Sequence, residues 1–347
     1  MNLHTRISAF SSLGETLRDA LVGKQTGFTD RISHLIETQY LKNPWFTPDN
    51  VRMAIGAIAG ELTQENLTRW CSAYPALDIA IKPLNAGVVM AGNIPLAGFH
   101  DLLCVLISGN RLIARTSSKD NELVVLISDV LRKTEPGFSS MITITEGTIS
   151  DFNVIIATGS DNSSRYFEYY FGKYPHIIRK NRNSVAVLDG TEIRAELENL
   201  GTDIFSYFGL GCRNVSKLYI PAGYDLKSLI SCWDQFTGII KQNKYANNYD
   251  FHKAVLMVNK DRFLDTGYLL MKEHPGLSSP VAVLYYEAYS SRDSFIRITK
   301  QNSNKIQCII GREYVPFGKA QMPALWDYAD GVDTIAFLLK KNSPGIL

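Results

Sequence analysis

Paired cysteines are what this 347-residue sequence most plainly lacks. Cys71, Cys104, Cys212, Cys232 and Cys308 are scattered, odd in number, and never in a Cys-x-x-Cys or Cys/His ligand spacing. That pattern argues against a structural zinc and against a disulfide framework, and points to reduced thiols in the cytosol. Charge of one sign is missing as well: 36 basic and 34 acidic side chains leave a net charge of +2. Without a domain-wide basic footprint, nucleic acid is not an expected partner. Long apolar runs are absent too. In "MNLHTRISAFSSLGETLRDAL" polar and charged residues break every apolar run, unlike a signal peptide, and nothing approaches a membrane span. A cytoplasmic location is the expectation. There is no Gly-x-Gly-x-x-Gly fingerprint, no internal repeat and no low-complexity linker.

What is there is the composition of an ordinary globule, 45% hydrophobic and 20% charged. The length exceeds the usual single-domain range, so two packed units or one large α/β unit with a lobe are expected. Up to about residue 75, "ISHLIETQYL", "VRMAIGAIAGEL" and "NLTRWCSAY" place apolar residues at three- and four-residue steps, the period of amphipathic helices. "TPDN" before Val51 and "TQEN" before Leu67 supply helix starts. From Asp78 the period changes. "DIAIKPL", "AGVVMAG", "RLIART" and "NVIIATG" read as short strands, separated by the helical "LLCVLISG" and "NELVVLISDVLRK". "SVAVLDG", "SKLYIP", "KAVLMVN" and "PVAVLYY" continue the strand pattern, so a mostly parallel sheet is expected in both halves.

Three stretches could carry chemistry. In "NVIIATGSDNSSRYFEYYF" an apolar strand runs into Thr158, Gly159 and Ser160 and then a helix. A glycine lets backbone approach a ligand, and a helix N-terminus offers N–H groups to a phosphate. A plain strand-turn-helix capped by Ser160 or Asp161 accounts for the same string. In "VVMAGNIPLAGFHDLLCVLISGNRLIARTSSKD" one strand ends toward Asn93, followed by Pro95, and the next ends in Arg115, Thr116, Ser117 and Ser118. Polar residues at strand carboxyl ends belong where open α/β sheets bind ligands. Turn capping by Asn93 and a surface ion pair for Arg115 are the ordinary alternatives. In "YFGLGCRNVSKLYIP" Cys212 stands on a glycine-flanked turn with Arg213 beside it. A buried structural cysteine competes with an exposed nucleophile for that position.

In this order the stretches resemble the aldehyde dehydrogenase superfamily, and within it the acyl-CoA reductases of the LuxC type. The strings that carry the resemblance are "GNIPLAGFHDLLCVLISGNRLIARTSSKD", "FGLGCRNVSKLYIP" and "VPFGKAQMPALWDYADGVDTIAFL", from about residue 88 to 340. It implies an α/β fold with a Rossmann-type cofactor domain and an α/β catalytic domain. The expected division is residues 1–186 for the helical N-terminal segment and NAD(P)-binding domain and 187–315 for the cysteine domain. A C-terminal segment, 316–347, would return to the cofactor domain or to an oligomer interface. Cys212, in a glycine-x-x-cysteine pattern, takes the role of nucleophile, and the Asn93 amide that of oxyanion donor. Gly159 and Ser160 match the turn beside the cofactor pyrophosphate and Arg115 a lysine that binds the adenosine ribose, with Thr116, Ser117 and Thr158 as further cofactor-binding positions. With Ser118 where NAD-preferring members often carry glutamate, Arg115 can accept a 2′-phosphate, so NADPH is favoured over NADH.

At the general-base glutamate of the hydrolytic members this sequence has Ile178. Without a base for water, an acyl-enzyme is suited to reduction. The resemblance therefore implies an acyl-CoA reductase that forms a fatty aldehyde through an acyl-cysteine. Losing one oxyanion donor such as Asn93 would cost about 2.7 to 4 kcal/mol of barrier. His100 and His176 are candidates by position only for protonating the departing coenzyme A, with a structural histidine the alternative for each. The rival readings are an enzyme of this fold acting on another activated acyl group or in the oxidative direction, and a non-catalytic acyl- or nucleotide-binding subunit. The resemblance also implies an acyl-activating ligase and an acyl transferase as partners. A homo-oligomer is expected, with "TIAFLL" as a last apolar strand joining subunits.

Overall fold

The computed structural model describes residues 1–79 and 82–342 and divides them into two compact units. The first unit takes in Met1–Lys180 and the chain from Ala324 onward; the second is Asn181–Pro323. In the run "DIAIKPL", Ala80 and Ile81 lie outside the described residues, and among the others no strand forms before Asn85.

The first unit opens with four helices: α1 (Leu3–Leu21), α2 (Gly27–Thr38), α3 (Pro48–Glu61) and α4 (Gln64–Ser72). Their starts obey local chemistry. The side chains of Asn2, Thr47 and Thr63 accept the N–H of Thr5, Asn50 and Asn66, and Pro48 occupies the first turn of α3, where no N–H is needed. Phe10, Leu13 and Leu17 of α1 recur on one buried face, so tertiary packing holds what propensity begins.

A five-stranded sheet follows: β1 (Asn85–Val89), β2 (Arg111–Arg115), β3 (Ile142–Thr145), β4 (Val154–Thr158) and β5 (His176–Arg179). All its pairings are parallel, in the order β3-β2-β1-β4-β5. Between the strands run α5 (Phe99–Ile107), α6 (Glu122–Thr134) and α7 (Asp161–Phe171). Of α5 every residue but His100 is buried, as a helix covering a sheet centre must be. The strand order reverses between β1 and β4, which creates the crevice where open sheets take ligands.

The second unit contains a six-stranded sheet: β6 (Asn183–Val187), β7 (Val215–Pro221), β8 (Leu264–Asp265), β9 (Leu270–Glu273), β10 (Val283–Tyr289) and β11 (Ile306–Ile310). Their order is β11-β6-β7-β10-β9-β8, parallel except where β8 meets β9. Its helices are α8 (Arg194–Phe205), α9 (Leu226–Ser231), α10 (Asn243–Val258) and α11 (Arg292–Gln301). Lys217 of β7 is fully buried, its ammonium donating to Glu287 and to the Pro275 carbonyl.

Two expected strands are helices. "KAVLMVN" lies in α10, and "TIAFLL" lies in α12 (Thr334–Asn342), which belongs to the first unit. A terminal-strand edge at "TIAFLL" therefore does not exist, and Ile335 and Leu338 are buried in the first unit's own core. At the other end of that contact Arg179 is buried, with its guanidinium on both oxygens of Asp101 at 2.8 and 2.6 Å and on the Thr334 hydroxyl at 3.0 Å. One side chain thus ties β5, α5 and α12 together.

Candidate active site

In the first unit the residues expected to hold a cofactor, and Asn93 as the expected oxyanion donor, lie at or beyond the carboxyl ends of β4, β1 and β2. Thr158 ends β4, Arg115 ends β2, and Asn93 stands four residues beyond β1. Helix α5 begins only at Phe99, so Asn93 occupies an exposed turn rather than the helix mouth. That turn is bound to the loop after β2. Asp120, buried, accepts the backbone N–H of Leu96 at 2.6 Å, while Leu96 itself holds a left-handed φ of 58°. A side chain on Gly92 would place its Cβ 2.4 Å from the Ser117 hydroxyl, so the two loops touch where only glycine fits.

Ser160 is the N-cap of α7 and accepts the Ser163 N–H, as one of the two sequence readings had it. Beside it, a Cβ on Gly159 would stand 2.8 Å from Ser163 Cβ and from the Phe167 ring. Only glycine fits so close to the start of this helix, and the Gly159 N–H meets the Arg179 carbonyl at 3.4 Å. Thr116 is buried with a hydroxyl that finds no partner among the described residues, and Arg115 is exposed at the strand end. A glycine turn and helix N-terminus after β4 and an orphaned hydroxyl after β2, the two strands that flank β1, fit a dinucleotide's phosphates and ribose.

The second unit carries Cys212, exposed, on the loop between α8 and β7. The backbone leading to it is unusual: Tyr207, Phe208 and Gly209 have φ of 50°, 58° and 76°. Left-handed conformations cost non-glycine residues about 1–2 kcal/mol each, so something must hold this turn. Asn214 does so. Its amide donates to the carbonyls of Asp203 at 3.1 Å and Ser206 at 2.7 Å, and its oxygen accepts the Gly211 N–H at 2.8 Å. Asp203, fully buried in α8, accepts the N–H groups of Gly318 and Ala320 at 2.7 and 3.0 Å, and Arg213 Nε donates to the Ala320 carbonyl at 2.6 Å. Burial drives the Asp203 carboxyl up to about 6, against the pull of those two N–H groups.

The two histidines are engaged. His100 shares a hydrogen bond with the Leu325 carbonyl at 2.8 Å, and burial pushes its pKa down; His176 shares one with the Tyr174 carbonyl at 2.8 Å. Ile178 packs against the apolar cluster of Val89, Ile155 and Ala157. Sequence reasoning passed over Asp120, Asp203 and Asn214. Only Asn214 left a local trace, an asparagine three residues after a turn glycine, the spacing of a side chain that closes its own loop.

The fold these units define is that of the aldehyde dehydrogenases. An NAD-dependent aldehyde dehydrogenase from Sinorhizobium meliloti superposes with a TM-score of 0.63 at 9% identity, covering 89% of this chain and 70% of that one. An aldehyde dehydrogenase from Bacillus cereus, in complex with NAD+, gives 0.62 at 11% identity over 89% and 72%. One from Physcomitrella patens, in complex with the reaction product succinate, gives 0.57 at 13% identity over 88% and 73%. Among curated proteins, the chain is 25% identical over 220 residues to a long-chain acyl-protein thioester reductase of Aliivibrio fischeri. That match takes in 57% of this chain and 45% of the relative, so it spans less than half the relative's length. No protein-family model matches the chain. Among the described residues no helix is long and apolar enough to cross a membrane.

Proposed function

We propose that the chain reduces an activated acyl thioester to an aldehyde, with the acyl group held on Cys212 between donor release and reduction. The observation that carries this reading is the Cys212 turn: an exposed thiol on a strained backbone whose turn the Asn214 side chain holds. The acyl donor is acyl-CoA on the sequence resemblance, and an acyl group carried on a protein on the name of the Aliivibrio fischeri relative. Both are thioesters, and the chemistry at Cys212 is the same for either.

The Cys212 thiolate attacks the carbonyl carbon, its new C–S bond replaces that of the donor, and the donor sulfur leaves with the electron pair. Covalent catalysis divides one step into two, and exchange of thiol for thiol changes no bond type. Negative charge on the carbonyl oxygen would be met by the Cys212 backbone N–H, and the sequence resemblance gives the Asn93 carboxamide the part of a second donor. A bound nicotinamide cofactor supplies the hydride that takes the acyl group to the aldehyde level. Its pyrophosphate would lie on the Gly159–Ser160 turn and its ribose near Thr116, with exposed Arg115 available to a 2′-phosphate, which favours NADPH. Cys212 then departs from the aldehyde carbon as thiolate. Ile178, at the expected base position, offers no carboxylate to activate water, which keeps the acyl group for reduction. Run backward with a thiol acceptor, the same residues would oxidise an aldehyde.

The test is intact mass after incubation with acyl-CoAs and acylated carrier proteins of several chain lengths, without cofactor. A thioester adduct that is lost in Cys212→Ala is expected, followed by aldehyde formation and loss of reduced-nicotinamide absorbance when NADPH is added. An adduct that persists on adding NADPH or NADH would make the chain an acyl carrier, and no adduct with any donor would overturn the covalent reading.

A further inference from the structure

Ser184, fully buried on β6, is a point where two irregularities meet. Against β11 the register shifts between Ile306 and Ile309, so the Gln307–Cys308 step bulges opposite Ser184. Against β7 it shifts again, between Ser184 opposite Val215 and Val185 opposite Lys217. Bulges re-aim side chains and gather beside active sites. Here they turn one hydroxyl onto two cysteines. Ser184 Oγ donates to the Cys212 carbonyl at 2.9 Å, accepts the Cys308 N–H at 3.2 Å, and stands 3.1 Å from Cys308 Sγ. A hydroxyl has one proton and two lone pairs. With its proton on the Cys212 carbonyl, Ser184 accepts from both the N–H and the S–H of Cys308, which fixes that thiol beside the Cys212 backbone.

Of the five thiols, Cys71, Cys104 and Cys232 are buried, Cys308 is half-buried, and Cys212 is exposed. Burial pushes the Cys71 thiol up to about 12 and that of Cys104 well above its ordinary value, which keeps both protonated and unreactive. The reactive sulfur chemistry of the molecule is thus confined to one neighbourhood.

We propose that Cys308 is the resolving thiol of Cys212, closing an intrachain disulfide once a hydroperoxide has oxidised Cys212. The first step transfers one oxygen: the Cys212 thiolate attacks the peroxide, becomes a sulfenic acid, and releases an alkoxide or hydroxide. In the second, Cys308 sulfur attacks the Cys212 sulfur, the S–S bond forms, and the sulfenic oxygen leaves as water with the Cys308 proton. Two electrons pass from the thiol pair to one hydroperoxide, and a dithiol restores both thiols. The product spares Cys212 from the sulfinic and sulfonic acids, which are not recovered. The proposal rests on Cys212 being the reactive thiol of the proposed function.

The experiment treats the full chain with a few equivalents of hydrogen peroxide, with and without dimedone, and reads intact mass and non-reduced peptides. Loss of two hydrogens per chain, a crosslinked peptide joining Cys212 to Cys308, and full reversal by dithiothreitol are expected. Cys308→Ala should instead give a dimedone adduct on Cys212 and, without dimedone, gain two or three oxygens. Cys308→Ser, which keeps a polar atom against Ser184, provides the same comparison should the alanine variant fold poorly. Equal dimedone labelling of wild type and both variants, or a disulfide to another cysteine or another chain, overturns the pairing. Acyl-adduct formation on the same preparations separates the failures. Acylation of Cys212 without the disulfide sinks only the resolving role, while a Cys212 that takes neither acyl group nor oxygen sinks both.

Discussion

Asp120 is enclosed, and burial pushes its carboxyl up to about 8 while the Leu96 N–H pulls the other way. In an unfolded chain an aspartate titrates near about 3.9. The folded protein therefore keeps this proton over the interval between, and the stability the group contributes is whole below pH about 4 and lost as pH rises through about 8. From about pH 6 to about pH 8 the wild type should shed about 2 kcal/mol of unfolding free energy that Asp120→Asn retains, seen in urea titrations at the two pH values. Asn214 makes the second case. Its removal leaves the Asp203 and Ser206 carbonyls and the Gly211 N–H without their side-chain partner. Asn214→Ala should cost about 2–4 kcal/mol by the same titration and slow acylation of Cys212, since the turn relaxes. Unlike Asn214, neither Asp120 nor Asp203 announces itself in the sequence. An aspartate in "SSKDNE" or "LGTDIF" looks like any surface acid, and only the tertiary fold encloses it.

Helices and strands were legible wherever the pattern was long or closely bounded. "RLIART", "NVIIATG", "SVAVLDG" and "PVAVLYY" form strands because turn residues fence short β-branched runs, and each finds a place in one of the two sheets. "KAVLMVN" has the same run of apolar residues but ends a sixteen-residue helix whose start, near Gln242, lies in the polar "QNKYANNYD" that no periodicity marks. "TIAFLL" fails in the same way, since six apolar letters do not tell a buried helix from a strand. What decides α12 is its partner: Arg179, held by Asp101 on α5 and by Thr334. Removing one member of a buried ion pair strands the other. Arg179→Ala should therefore cost about 3–5 kcal/mol, and Arg179→Met paired with Asp101→Leu markedly less, compared by chemical denaturation.

At the scale of the whole molecule, the strand order of each sheet and the division into two units come from contacts that no single segment encodes. The carboxyl-edge placement of Asn93, Arg115 and the Thr158–Ser160 turn was legible because it depends only on where strands end. The return of the chain to its first unit at Ala324 was legible only as wording, "MPALWDYADGVDTIAFL", with no physical pattern behind it. That return supplies Leu325, Tyr328, Ile335 and Leu338 to the first unit's core, and the Tyr328 hydroxyl accepts from the Trp70 indole at 2.9 Å. A chain stopped after Pro323 should lose the first unit's cooperative melt, at about 1.5–3 kcal/mol for each large apolar side chain removed, while the second unit retains its own. Thermal melting followed by tryptophan fluorescence distinguishes the two: in the shortened chain Trp233→Phe leaves only Trp45 and Trp70 of the first unit, and Trp45→Phe with Trp70→Phe leaves only Trp233 of the second.

The same return sets an order in time. As the chain leaves the ribosome, Met1–Lys180 emerges first but lacks the segment from Ala324, which follows only after all of Asn181–Pro323. At about 5–20 residues per second that delay is on the order of 10–30 s. The second unit, contiguous, can close during the wait. The first unit, though older, stands with an open seam over α5 and must be kept from strangers until its own C-terminal helix arrives.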